Sequence, residues 1–298
     1  MKVGVIRVAG MAVERVAALE ALQQAGALDA VDVRDVSEAS LADGTILVTL
    51  PDWLKDLQVV FAGIPGAYVP HLANAALRAG VHTFLGRAAV PSISECKALA
   101  TVAEEAGVEV GVSRVMRFHP FREMLPATWR TTAITMRHCK TDQDPAGFQQ
   151  MLEDAVDLCC SLAGTGEVRK IEAQLVQQNR RYPVCLLAGL RFQNGTYAQL
   201  ELRQGAEQKV HTVYAGGGGF EFEADFNQQQ IYLSRTAGEE NEVESSAFDE
   251  KKFRLQDLIA TETIAFLASL REKKPVPISI MDGLQTLRLV ESIRKKLR

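Results

Sequence analysis

Long apolar runs are missing from this 298-residue chain. No segment reaches the roughly 20 uninterrupted apolar residues that a membrane helix needs, so no membrane partner is expected. The opening MKVGVIRVAGMAVERV has too short an apolar run for a secretory leader and lacks a cleavage-like end. Cysteine is scarce and badly spaced for chemistry. Cys96, Cys139, Cys159, Cys160 and Cys185 form no C-x-x-C, and the adjacent Cys159–Cys160 pair is poor geometry for a disulfide or a metal. Buried free thiols in a reducing cytoplasm are the expectation. Charge excess is also absent. A formal net charge of −4 gives no long-range attraction to nucleic acid or to an anionic surface. The histidines His71, His138 and His211 have no ligand-like spacing, so no metal is expected. Low-complexity segments and internal repeats are missing too.

What is present is a substantial apolar fraction, 47%, enough for a large core or two. The first third alternates short apolar runs with helical spacing. KVGVIRV, LDAVDVRDV, LQVVFAGIP, VHTFLG and VEVGVS read as strands. Between them, AVERVAALEALQQAG ends at a capping Gly26, PHLANAALRAG ends at Gly80, and PSISECKALATVAEEAG opens on a capping box, Ser92 with Glu95. Strand–helix alternation with short links predicts a doubly wound parallel sheet with helices on both faces.

After Arg117 the pattern changes. TTAITMRHC, VRKIEAQLV, KVHTVYAGGGGFEFEADF and QIYLSR alternate at period two. CLLAGLRFQNGTYAQLELRQG is two such runs joined at Asn194-Gly195, a hairpin signal. Apart from one helix around FQQMLEDAVDLCCSLAG, no crossover helices separate them. The prediction is a mostly antiparallel open sheet with flanking helices, closed by two C-terminal helices. The fold class is therefore α/β plus α+β, with domains at 1–118 and 119–298. Gly216–Gly219 has no following helix, so a turn or bulge is expected there rather than a phosphate loop.

The order and spacing of these segments resemble the Gfo/Idh/MocA family of NAD(P)-dependent oxidoreductases over nearly the whole chain. The stretches that carry the likeness are VVFAGIPGAYVPHLANAALRAGVHTFLGRAAV, ECKALATVAEEAGVEVGVSRVMRFHPF and AFLASLREKKPVPISIMDGLQTLRLVESI. The resemblance implies a Rossmann-like N-terminal domain holding NAD or NADP. It also implies a second domain for a small-molecule substrate, a sugar or related alcohol, and a homo-oligomer formed through the open sheet face. Ile171, Ala173, Leu175, Leu200 and Leu202 are candidates for such a face.

Laid on that family's pattern, the cofactor turn is Arg7, Val8, Ala9, Gly10 and Met11, with Ala12 at the third glycine position. Arg7 and Ala9 replace glycines that make the tight turn and admit the diphosphate. Two readings of Arg7 stay open: a cation for a phosphate, or a side chain that fills the groove and pairs with a local carboxylate. Asp35 stands where an acid meets the adenosine ribose, with Arg34 beside it as a candidate for a 2′-phosphate. Ile64 and Pro65 take the Thr-Pro place beside the nicotinamide.

The family's Glu-Lys-Pro has become Gly86-Arg87-Ala88. Arg87 stays protonated and can only orient or stabilise charge. In the second domain Asp154 falls on the family's histidine position and Asp157 on its acid. They are three apart on one helix face, able to bind hydroxyls or act as a base, or simply solvated. His119 resembles a packed junction residue. The implied function is an NAD(P)-dependent oxidoreductase of that type with altered motifs, Arg87, Asp154 and Asp157 being the catalytic candidates. The alternative is a non-catalytic member that keeps the cleft as a binding or partner protein.

Overall fold

Val3, Val5 and Ile6 are fully buried, and so is Val59 to Phe61 on the strand beside them. Such runs, apolar on both faces, suit a parallel sheet covered on both sides. The computed structural model describes residues 1–42, 50, 52–86, 92–120, 124, 129–179, 182–235, 245–247 and 254–297. It divides the chain into two compact units, 1–118 with 255–285, and 119–254 with 286–298.

In the first unit β1 (Lys2–Val8), β2 (Ala30–Val36), β3 (Val59–Gly63), β4 (His82–Leu85) and β5 (Val110–Val112) form one sheet. The order is β2-β1-β3-β4-β5, every pairing parallel. The direction of winding therefore reverses between β1 and β3, the place where open α/β sheets leave a crevice at their carboxyl ends.

Helix α1 (Val13–Gln24) buries Val16 and Leu19 on one face of this sheet, against Val3, Val5, Phe61 and Phe84. Gly26 follows α1 at φ 72°, the left-handed cap position that glycine adopts most readily. A short helix α2 (Glu38–Ala42) follows β2. Helices α3 (Val69–Arg78) and α4 (Ile93–Ala106) come next. The capping box of α4 is complete: the Ser92 amide donates to Glu95 Oε2 at 2.8 Å and the Glu95 amide to Ser92 Oγ at 3.4 Å. His82 Nδ1 accepts the Glu109 amide at 2.9 Å, and burial pulls its imidazole below the usual range.

The C-terminal segment corrects the expected domain limits. Residues 255–285, assigned by pattern to a second domain at 119–298, belong to the first unit. Two interactions draw them back. Helix α6 (Leu255–Glu272) packs Phe266 against both Phe61 and Phe84, with ring centroids 5.9 and 4.9 Å away. It also carries Glu262, buried and paired with Arg15 of α1 at 2.5 Å. The same carboxylate accepts Ser113 Oγ at 2.8 Å and the Arg114 amide at 2.6 Å. Arg15 also donates to Thr263 Oγ1 at 2.8 Å, and its guanidinium lies 4.4 Å from the Phe84 ring centroid. The chain then runs along β5, where the Val112 amide donates to Ile278 O at 3.0 Å.

The second unit holds an eight-stranded sheet. Its strands are β6 (Ala133–Cys139), β7 (Val168–Asn179), β8 (Tyr182–Phe192), β9 (Tyr197–Arg203), β10 (Val210–Gly217), β11 (Phe220–Asp225), β12 (Gln230–Arg235) and β13 (Ser245–Ala247), ordered β13-β12-β11-β10-β6-β9-β8-β7. All neighbours are antiparallel except β6 and β9. Asn194-Gly195 makes the β8–β9 hairpin, Gly195 at φ 93°, and Gly217 to Gly219 turn β10 into β11.

Helix α5 (Pro145–Ala163) covers β6, β8 and β9. The last carbonyls of α5 are satisfied by side chains: Thr131 Oγ1 donates to Leu162 O at 2.7 Å and Asn194 Nδ2 to Ala163 O at 2.8 Å. Ile171, Ala173 and Leu175 share the face of Leu190, Ala188 and Leu186 by register, and Leu200 and Leu202 are fully buried. These residues therefore point to the α5 side. The opposite face carries Thr135, Arg137, Gln199 and Glu201, with Arg137 Nε on Glu201 Oε2 at 2.8 Å. The apolar argument for self-association does not apply to the residues that suggested it. Helix α7 (Ile280–Lys296) passes from the first unit to the second.

Removing one member of a buried ion pair leaves the other charge stranded, a cost of about 3–5 kcal/mol. Glu262→Leu alone is expected to lower unfolding stability in urea by that amount. The double variant Arg15→Met with Glu262→Leu is expected to recover part of it, the remainder being the acceptor lost to Ser113 Oγ and the Arg114 amide.

Candidate functional site

At the reversal point between β1 and β3 the chain must leave β1, turn, and start α1 through the four residues 9–12. The Met11 amide donates to Val8 O at 2.9 Å, Gly10 takes φ 83°, and Ala12 takes the left-handed φ 54°. A left-handed alanine is strained by about 1–2 kcal/mol. The first bond of α1 runs from the Val16 amide to Ala12 O, and no side chain caps the helix. Its first amides therefore face outward with the positive end of the helix dipole, a setting that favours an anion.

Close packing explains why Ala12 is tolerated. A Cβ on Gly63 of β3 would lie 2.7 Å from the Ala12 Cβ and 3.2 Å from that of Arg7. The turn's methyl thus occupies space that glycine leaves on the neighbouring strand. Beyond it lies a cavity of about 240 Å³, walled by Met11, Ala12, Arg15, Phe61, Ile64, Phe84, Gly86, Ser113 and Ile259 among others. The wall is mostly apolar. Gly86 is itself cramped, since a Cβ there would lie 2.7 Å from Ala62 O.

The structure brings Met11, Ile64 and Gly86 together at this cavity, with Val8, Ala9 and Gly10 forming the turn above β1. Arg7 and Asp35 sit at the ends of adjacent strands in direct register, and Arg7 Nε donates to Asp35 Oδ1 at 2.8 Å. Arg34 faces away from them. Its guanidinium lies 4.8 Å from the ring centroid of Trp53, whose indole N–H donates to Asp32 on the same face. Pro65 starts the turn into α3. Arg87, with Ala88, lies outside the described residues.

In the second unit Asp154 and Asp157 are on α5, 8% and 2% exposed, so they are not a solvated helix face. Thr286 Oγ1 donates to Asp157 Oδ1 at 3.1 Å. His119 is 1% exposed, edge-on to Phe226 at 5.1 Å, and burial pushes its imidazole down to about 3. It remains neutral at physiological pH and is no proton carrier. His138 and His211 stack face to face, centroids 3.9 Å apart. Among the described residues no group of three or more His, Cys, Asp or Glu is arranged to hold a metal, and no helix is long and apolar enough to cross a membrane. All five cysteines are buried free thiols.

Sequence reasoning missed Arg15, Gly63, Phe84 and Ser113. Gly63 was visible as a small residue ending an apolar strand. Arg15, near the start of a helix, looks like any surface arginine until its partner 247 residues away is known.

No family model matches this sequence, and no curated protein matches it. Solved structures do. UDP-N-acetylglucosamine 3-dehydrogenase from Acidithiobacillus ferrooxidans aligns with a TM-score of 0.80 at 18% identity, covering 100% of this chain and 97% of that one. Levoglucosan dehydrogenase in complex with NADH aligns with a TM-score of 0.79 at 15% identity, over 99% and 96% of the two chains. Biliverdin reductase from Synechocystis, in complex with biliverdin and NADP+, gives 0.71 at 18%, over 99% and 98%. This chain has the two-domain dehydrogenase fold. At such identities the likeness carries the fold and leaves the chemistry to the residues.

Two expectations follow. Gly63→Ala forces its methyl against Ala12 and is expected to cost about 1–3 kcal/mol; adding Ala12→Gly is expected to restore the loss, read by thermal melting of both variants. For His119 the imidazole, near 6.5 when unfolded, is held low when folded, so the unfolded chain binds more protons below pH 6.5. Its contribution is fully present above that pH and is lost as the pH falls toward 3, about 2 kcal/mol by pH 5. His119→Phe is expected to flatten that limb of the stability–pH curve.

Proposed function

We propose that this protein is an NAD(P)-dependent oxidoreductase acting on a small alcohol-bearing substrate, a sugar or related polyol. The observation that carries the reading is the cavity at the β1–β3 reversal, walled by an uncapped helix N-terminus on one side and strand ends on the other. Similar folds named as sugar dehydrogenases, one in complex with NADH, support it.

The residues fit a nicotinamide dinucleotide. The α1 amides, with Gly10 and Ala12 shaping the turn, suit the diphosphate, although Glu14 in the first turn opposes it. A dry cavity of about 150 Å³ is enough for a benzene-sized ring. The 240 Å³ here therefore accommodates the nicotinamide between Ile64, Phe84 and Gly86, where both cramped glycines keep the floor low. Asp35 suits the adenosine ribose. Bound there, the cofactor carries the hydride. The chain must take the proton that leaves the substrate hydroxyl, and arginine cannot accept it. We assign that task to Asp154, with Asp157 as its positioning neighbour, held by Thr286. Arg87 would stabilise the developing alkoxide.

Titration of NADH and NADPH followed by cofactor fluorescence, then of sugars and polyols followed by reduced-cofactor absorbance, tests the reading. Saturable binding and turnover are expected. Asp154→Asn is expected to lower kcat by about 10²–10⁴-fold while leaving cofactor affinity unchanged. Failure of both nucleotides to bind at millimolar concentration overturns it.

A further inference from the structure

We propose that the stacked imidazoles of His138 and His211 are a proton-sensitive joint in the sheet of the second unit: together they hold one proton, and a second one separates them and loosens strands β10 to β13. The inference does not depend on the cofactor reading above and concerns the unit that does not carry the β1–α1 turn.

Strand register brings the two rings together. Buried Ile134 and Met136 put His138 on the α5 side of β6 by alternation, and His138 is 7% exposed. His211 is its direct partner on β10. The rings lie 3.9 Å apart between centroids and within 7° of parallel. The Phe226 amide donates to His211 O at 2.8 Å, and the Phe226 ring lies 4.4 Å from that of His211 and 5.1 Å from that of His119. Three of the chain's five histidines therefore gather round one phenylalanine at one end of the β6–β10 ladder. That ladder matters to the whole sheet. Helix α5 packs on β6, β8 and β9, and strands β10 to β13 join them through β6.

Like charges this close oppose each other, so two imidazoles in contact take up their protons in separate steps. On β9, Leu202 is the partner of His138, while Glu201 and Arg203 take the opposite face. On β11, Ala224 shares the side of Phe226, while Glu223 and Asp225 take the other with Arg137 of β6. Lys140 and Lys209 follow two residues from the histidines along the chain, and as cations they oppose a further proton. The acidic groups come from α5 and the residue before it. Asp144 accepts the Gly147 amide at 2.9 Å, Glu153 accepts Gln149 Nε2 at 2.5 Å, Asp157 accepts Thr286 Oγ1 at 3.1 Å, and Asp154 stands between the last two. These carboxylates favour one imidazolium on the pair. His119, held low by burial, adds no charge. In the unfolded chain both imidazoles titrate near 6.5. Below that pH the folded pair binds one proton fewer than the unfolded chain, so the stack contributes fully above it and loses hold as the pH falls.

Chemical-shift titration of the histidine ring protons in the full chain reads the pair directly and needs no variant. Two coupled steps are expected, the lower at least about one pH unit below the upper. Amide exchange, corrected for its intrinsic dependence on pH, supplies the structural readout. Protection across Val210–Gly217 is expected to fall about tenfold per pH unit in acid, the slope of one missing proton, while β7 to β9 keep theirs. His211→Phe and His138→Phe each remove the repulsion and are expected to abolish that slope. His119→Phe leaves the stack in place and is expected to retain it. Independent titration of both rings near 6.5 overturns the inference. So does protection of β10 that stays flat between about pH 7.5 and about pH 5, or a slope that survives both stack variants.

Discussion

One buried ion pair, Arg15 with Glu262, decides what the first unit is. It joins a helix at the start of the chain to one near its end, and both groups are nearly inaccessible. Two charges out of water are tolerable only when further hydrogen bonds serve them. Here Glu262 takes three donors and Arg15 takes Thr263 and Ser113 in addition to the carboxylate. The pair sits against Phe84 and Phe61, so the same side chains that satisfy the charges also floor the cavity. Because α1 is anchored by Arg15 three residues after Ala12, the position of the β1–α1 turn follows from this contact. A loosened α6 would let the helix N-terminus drift.

The altered turn is then an exercise in space. A Rossmann turn needs closeness between the first helix and the strands beneath it, and three glycines are the usual way to obtain it. This chain keeps the closeness with an alanine in the turn and a glycine opposite it on β3. Ala12 carries the methyl and Gly63 omits it. The left-handed strain at Ala12 stays local, because α1 is held from its other contacts. At this position alanine is accommodated because Gly63 leaves room for its methyl.

The layers of the fold were legible in the residues because each is specified locally. Period-two runs, the Ser92–Glu95 box and the Asn194-Gly195 turn all act within a few positions of themselves, and each appears where its pattern lies. Legibility ended where a partner is distant. Nothing near residues 255–285 tells that Phe266 packs against Phe61 and Phe84, so the tail was placed with the wrong unit. The two aspartates of α5 suffered from the same blindness. Spacing put Asp154 and Asp157 on one face, but only the sheet beneath the helix and Thr286 from α7 decide that this face is buried. Alternation put Ile171, Ala173 and Leu175 on one side of their run and named Leu200 and Leu202 in another; it could not say which side α5 would cover.

The two arginines of the cofactor end show why burial matters more than charge. Arg15 is enclosed, and its replacement would strand Glu262; it is part of the framework and cannot be recruited to a ligand without unfastening α6. Arg7 faces a carboxylate that water also reaches, and exposed pairs of this kind contribute about 0–1 kcal/mol. Register alone makes the pair: Arg7 and Asp35 are direct partners in a parallel ladder.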